Sequence, residues 1–124
     1  MKIKTAAAAV LGFRVVYGAA LLVAPGKVAG GSWLGSGARQ PAATVALRGL
    51  GAREVAVHGI ALVALARGGP VRPWLAASVA GDLADIGSAF ISRDGLPDGS
   101  AAATAAVAGG SAALTAAVAA ALGD

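Results

Sequence analysis

Residues 42–67 read AATVALRGLGAREVAVHGIALVALAR. At about 26 residues, the stretch is long enough to cross a bilayer as a helix. Its ends are apolar, yet its middle holds Arg48, Arg53, Glu54 and His58. A lone Arg or Asp at mid-membrane costs about 2.5–3.5 kcal/mol on insertion scales. Such a segment needs partners for its charges, and the rest of the chain is where they must come from.

Composition points to lipid. The chain has 124 residues, read as one integral membrane domain, with 57% hydrophobic and only 13% charged residues. Mean hydropathy is +0.76. A soluble domain of this size exposes too much surface for so few charges. Alanine and glycine dominate; such small side chains gain little from burial in water but allow close helix packing in a membrane. The absence of cysteine excludes disulfides, thiolate catalysis and zinc–thiolate sites. The net charge of +4 comes from dispersed basic residues without interleaved aromatics. No nucleic-acid partner is expected from that pattern.

Three further segments flank the central one. Residues 5–24 are apolar and end at Pro25-Gly26. Lys2 and Lys4 ahead of them imitate a signal peptide, but Arg14 in the centre is foreign to a signal's apolar region. On a helix, Arg14 shares a face with Tyr17 and Gly18. Residues 25–41, PGKVAGGSWLGSGARQP, read as a glycine-rich loop with an interfacial turn anchored by Trp33. Their glycines match no phosphate-binding fingerprint.

Beyond the central stretch, Gly68-Gly69-Pro70 is a stop, and Pro73 suits a first helical turn. Residues 73–92 carry Asp82 and Asp85 as i, i+3 neighbours, on a face that Ser78 and Ala89 extend. RDGLPDG at 93–99 is a turn by its chemistry. Residues 100–122 are nearly all alanine, with Thr104, Gly109, Gly110, Ser111 and Thr115. They lack the Glu and Lys that a soluble helix carries on its wet face. The expected fold is all-α, a four-transmembrane-helix bundle over 5–24, 42–67, 73–92 and 100–122. The second helix is expected at the centre, with its charges toward the first and third.

Both termini then lie on one side, with Lys2, Lys4, Arg67 and Arg72. Lys27, Arg39 and Arg93 fall on the other. The excess of Lys and Arg assigns the termini to the cytoplasm, in a multi-pass protein of the bacterial inner (cytoplasmic) membrane.

Inside the segments, Arg14, Arg48 and Arg53 balance Glu54, Asp82 and Asp85. Neutrality is what buried ions require. Arg14, Arg53, Glu54 and Asp82 fall near the centres of their segments. Arg48 lies roughly 9 Å along its helix from Glu54, at 1.5 Å per residue. Asp85 is displaced the same way from Asp82. The expected ion pairs are Arg48 with Asp85, and Arg53 or Arg14 with Asp82 or Glu54. A water-filled cleft in the outer half is one way to hydrate what is left.

Three chemistries fit this constellation. The plainest is that the carboxylates neutralise the arginines and fix helix register. A second is acid–base or proton-transfer work by Glu54, Asp82 or Asp85, since a buried carboxyl holds its proton more readily. A third is a metal held by the ExxxH of Glu54 and His58 with the DxxD of Asp82 and Asp85. Three arginines would repel a divalent ion, and one histidine is few, so no metal is assigned. His58 and Tyr17 read first as interior packing residues.

Part of the pattern resembles a known group. Gly51, Arg53, Glu54 and Gly59, then Trp74, Gly81, Asp82 and Asp85, form a GxRE…GDxxD pattern. It resembles that of small bacterial, actinobacterial-type, four-helix integral membrane proteins of uncharacterised function. Gly18 and Ala24-Pro25 of the first segment resemble theirs too. The resemblance implies a four-helix membrane fold and no established activity. His58 stands where that group's pattern has a small residue.

Three functions remain open from the sequence, and whether the protein is an enzyme is undecided. One is a membrane-embedded binding or acid–base site for a small apolar molecule such as a lipid, quinone or isoprenoid. It requires a cavity reachable from lipid, with Arg14, Arg48, Arg53, His58 and Tyr17 as binding or ion-pairing groups. Another is a structural or accessory subunit, which requires a tightly packed bundle. The last is a small transporter or proton channel, working as a homo-oligomer with a wet path through both halves. The bilayer is the expected partner in every case; the cofactor is unknown.

Overall fold

Nothing between Lys2 and Val23 interrupts a helix, and α1 fills that range. Ala24 leaves helical geometry (φ −141°, ψ 61°) because it precedes a proline. The structure, a computed structural model, describes residues 2–123. Pro25 starts the short helix α2, Pro25–Ala29, and a 3-10 turn follows at Gly35–Arg39. Gln40, also before a proline, is extended, and Pro41 opens α3, Pro41–Arg67. Gly68 closes α3 in the left-handed region (φ 71°). Its N–H reaches the Leu65 carbonyl while that of Gly69 reaches Ala64 at 2.8 Å. Helix α4, Arg72–Ile91, has Pro73 in its first turn. Gly99, at φ 81°, turns the chain into α5, Ser100–Leu122.

The result is an all-α bundle of four long helices, with no strand among the described residues. One expectation changes. The stretch 25–41 is not an open loop. Its proline starts a helix as well as ending one, and Ala29 and Ala38 are fully buried. They pack with Leu21, Leu47 and Trp33, so the stretch folds into a cap over one end of the bundle.

The long helices associate as two antiparallel pairs, α1 with α3 and α4 with α5. In the first pair, Gly18 and Gly51 bring the backbones together: a Cβ on Gly51 would stand 2.6 Å from the Gly18 carbonyl oxygen. Close backbone approach at small residues is the usual way helices gain packing in lipid. Contacts between the pairs are sparser. At the end carrying the termini, Ala7 and Leu11, Ala61, Val71, Leu75 and Val118 close the gap as one apolar cluster. At the capped end the apolar cluster draws only on α1, α3 and the cap. There the two pairs stand apart.

Charged groups are buried and large apolar side chains exposed. Arg14, Glu54, His58, Ser78, Asp82 and Thr115 are buried, while Phe13, Val45, Leu83 and Ile91 face outward. Each long helix is long and apolar enough to cross a membrane, and at most 28% of any such span is buried. An apolar exterior around a core that holds a charged cluster between two apolar ones matches lipid as the surrounding solvent.

Candidate functional site

Arg14 is the hub. Its Nε donates to Glu54 Oε2 at 2.9 Å and its Nη2 to Glu54 Oε1 at 2.8 Å. Nη1 and Nη2 donate to Asp82 Oδ2 and Oδ1 at 2.8 and 2.6 Å. Nη1 also donates to Thr115 Oγ1 at 3.2 Å. A guanidinium has five N–H groups, and these bonds occupy all of them. One side chain of α1 thus ties together α3, α4 and α5. The sequence puts the second span at the centre of the charges; the structure puts the first there. Only Arg has the forked donors to grip two carboxylates at once.

Arg53 makes a second link between the pairs. Its Nη2 donates to Asp85 Oδ2 at 2.7 Å, and its Nη1 lies 3.4 Å from Oδ1. The guanidinium lies across Gly81, where a Cβ would come 3.3 Å from its Cζ. Glu54 Oε1 is 3.9 Å away, so Arg53 touches the Arg14 group only at its edge.

His58 makes a third link. Nδ1 lies 2.7 Å from the Glu54 carbonyl oxygen and Nε2 2.7 Å from Ser78 Oγ. A carbonyl only accepts, so Nδ1 carries the proton; in the neutral ring Ser78 then donates to Nε2. Tyr17 packs beside the cap cluster and lines the cavity described below.

Arg48 does not join. It is exposed, and its Nε donates to the Leu22 carbonyl at 3.2 Å. The expected pair of Arg48 with Asp85 is therefore replaced by Arg53 with Asp85. Six residues of helix turn Arg48 about 120° away from Glu54, onto the flank that meets the end of α1. Depth alone matches it to Asp85; its facing sends it to the Leu22 carbonyl instead.

Above the cluster, toward the cap, a cavity of about 570 Å³ opens between the two pairs. Arg14, Glu54, Asp82 and Asp85 lie at one end, and Trp33 and Leu34 of the cap at the other. Phe13 and Val107, on the wall, are 71% and 60% exposed, so the cavity is not sealed from the exterior. Trp33 Nε1 donates to Thr104 Oγ1 at 2.9 Å, latching the cap to α5. Thr104 Oγ1 in turn donates to the Ser100 carbonyl at 3.0 Å.

As acid–base candidates the three carboxylates differ. Both oxygens of Glu54 and of Asp82 are held by Arg14, and both side chains are 4% exposed. Asp85 is 32% exposed and has one long bond. The Arg14 guanidinium fills the space between Glu54 and Asp82 that a bound cation would need.

Sequence reasoning passed over the hydroxyls of α5. Ser100, Thr104, Ser111 and Thr115 recur at spacings of four, seven and four residues, so they share one face. That face turns inward, toward Trp33, the cavity and Arg14. The periodicity of hydroxyls within an alanine helix was the available signal.

No family model, no curated protein and no solved structure matches this chain.

Proposed function

We propose that this is a multi-pass protein of the cytoplasmic membrane that holds a small lipophilic molecule in the cavity between its helix pairs. The observation that carries the reading is the cavity itself. Its volume of about 570 Å³ falls within the usual range for small-molecule sites. Its exposed wall surface is mainly apolar, its charged groups gather at the floor, and hydroxyls of α4 and α5 line its sides. A bundle whose charges served only to fix register has no use for such a space.

The ion cluster divides the labour. Arg14 with Glu54 and Asp82 is the clamp that holds the pairs together. Asp85 is the carboxylate left accessible to a bound molecule. The apolar cluster around Leu11, Leu75 and Val118 supports a cavity closed at one end over a channel through both halves. With the termini in the cytoplasm, as the Lys and Arg distribution favours, the cavity lies in the outer leaflet.

The test is native mass spectrometry of the protein released from lipid nanodiscs, wild type against Ala108→Trp, which fills the cavity. The expected result is a bound small molecule in the wild type and none in the variant, at similar thermal stability. A wild type that carries no ligand and takes up no added lipophile would refute the reading.

A further inference from the structure

The charges at the cavity floor do not balance. Arg14 and Arg53 stand against Glu54, Asp82 and Asp85. Arg48 points outward to the Leu22 carbonyl. Lys27, Arg39 and Arg93 belong to the capped end, and none of them lines the cavity. His58 is buried behind Glu54, against the Glu54 carbonyl, the Ser78 hydroxyl and, at 3.4 Å, Glu54 Oε2; as a neutral ring it adds no charge to the count. One negative charge is left over in a low-dielectric setting, where an uncompensated ion is costly.

The surplus is reachable at one place. Glu54 and Asp82 are saturated by Arg14, whereas Asp85 is a third exposed, lines the cavity and holds Arg53 through one short bond and one long one. A second observation is independent of charge. Ser100 lines the same cavity and is fully buried, and its Oγ has no hydrogen-bond partner among the described residues. A buried hydroxyl without a partner is uncommon in a settled structure. It leaves one unsatisfied polar atom beside the cavity.

We propose that the occupant is a lipophilic cation: an amine-bearing hydrocarbon whose ammonium group sits at Asp85. Its apolar body lies against Phe13, Leu50 and Val107, and a second polar group meets Ser100 Oγ. The inference rests on the cavity reading above and specifies its ligand class. An anionic amphiphile adds charge of the same sign as the floor. A neutral one leaves the surplus where it was. An ammonium group removes the surplus and donates hydrogen bonds to the carboxylate.

The experiment compares three chains of equal length: dodecylammonium, dodecanol and dodecanoate. Each is titrated into the protein in zwitterionic nanodiscs, with empty nanodiscs as the control for partitioning. Emission from Trp33 at the cavity roof, read in a Trp74→Phe background, reports occupancy. Dodecylammonium is expected to saturate the site at a concentration about tenfold or more below dodecanol, and dodecanoate to bind worst. Asp85→Asn removes the preference, and Asp85→Glu, which keeps the charge, retains it. Ser100→Ala leaves the preference unchanged, because none of the three chains carries a second polar group. Equal binding of all three, or a preference that survives in a folded Asp85→Asn protein, overturns the cation inference and leaves the cavity reading intact. No saturable response to any of the three overturns both.

Discussion

Gly18 of α1 and Gly51 of α3 face each other with no room for a side chain on either. A Cβ at Gly18 would lie 2.7 Å from the Gly51 carbonyl oxygen, and one at Gly51 would lie 2.6 Å from that of Gly18. The obstacle is backbone, which cannot swing aside. Gly51→Ala must therefore push α1 and α3 apart, at a cost of about 1–3 kcal/mol. Gly12, where an added Cβ meets nothing within 4 Å, is the control. Reversible unfolding in mixed micelles, followed by circular dichroism, should separate the two alanine variants.

Removing the hub should be the most damaging single change. Arg14→Ala leaves Asp82 buried without its cation and Glu54 with only the Arg53 guanidinium at 3.9 Å and His58 at 3.4 Å, and breaking a buried pair in this way costs about 3–5 kcal/mol. Arg14→Lys restores the charge with three donors in place of five. It should recover only part of the loss. A Lys variant as stable as the wild type in the same unfolding assay would show that the fork geometry is unimportant.

Arg53 and Asp85 form a nearly isolated pair, so exchange should be tolerated. Arg53→Asp or Asp85→Arg alone should destabilise the bundle, and the double exchange should recover stability, with a coupling of about 0.5–3 kcal/mol. Exchanging Arg14 with Asp82 should not recover it, because Glu54 would then face a second carboxylate. A double-mutant cycle on each pair measures the difference.

The cap is held by one side-chain bond to α5. Trp33→Phe keeps an aromatic six-membered ring but loses the pyrrole half of the indole with the Nε1–H that reaches Thr104; the bond alone is worth about 0.5–1.5 kcal/mol. Hydrogen exchange should quicken at Val28 and Ala29, in the cap, and stay unchanged near Leu11, in the cluster at the far end. Faster exchange at both sites would mean the cap and the bundle open as one unit.

Much of the fold was legible because it rests on local chemistry. Prolines at 25, 41 and 73 and the glycine at 68 mark helix ends through backbone geometry that needs no tertiary partner. The ionisable residues were legible as a group, since lipid leaves them nowhere else to go. Their pairing was not. Depth along a helix follows from counting residues, but the partner of Asp85 depends on the rotation of α3 against α4, and that rotation is set partly by Gly81 making room for Arg53. The cavity was the least legible feature. It arises because two helix pairs meet tightly at one end and stand apart at the other, a property of the whole assembly. Ser100 and Thr104, at its edge, looked in the sequence like two more small residues in an alanine helix.

The five-fold grip of Arg14 has a consequence for biogenesis. α1 is the first of the four spans to leave the ribosome, and it carries the one guanidinium that three later spans must satisfy. Until α3 arrives, that residue has no carboxylate to hold, and until α4 arrives, Asp82 is missing from its grip. A nascent chain cut off after Arg67 would leave the job half done. The first span should therefore linger at the insertion machinery, or sit shallow in the bilayer, and settle to full depth only as the third span is delivered. Assembly would then be timed by a side chain carried on the first of the four spans.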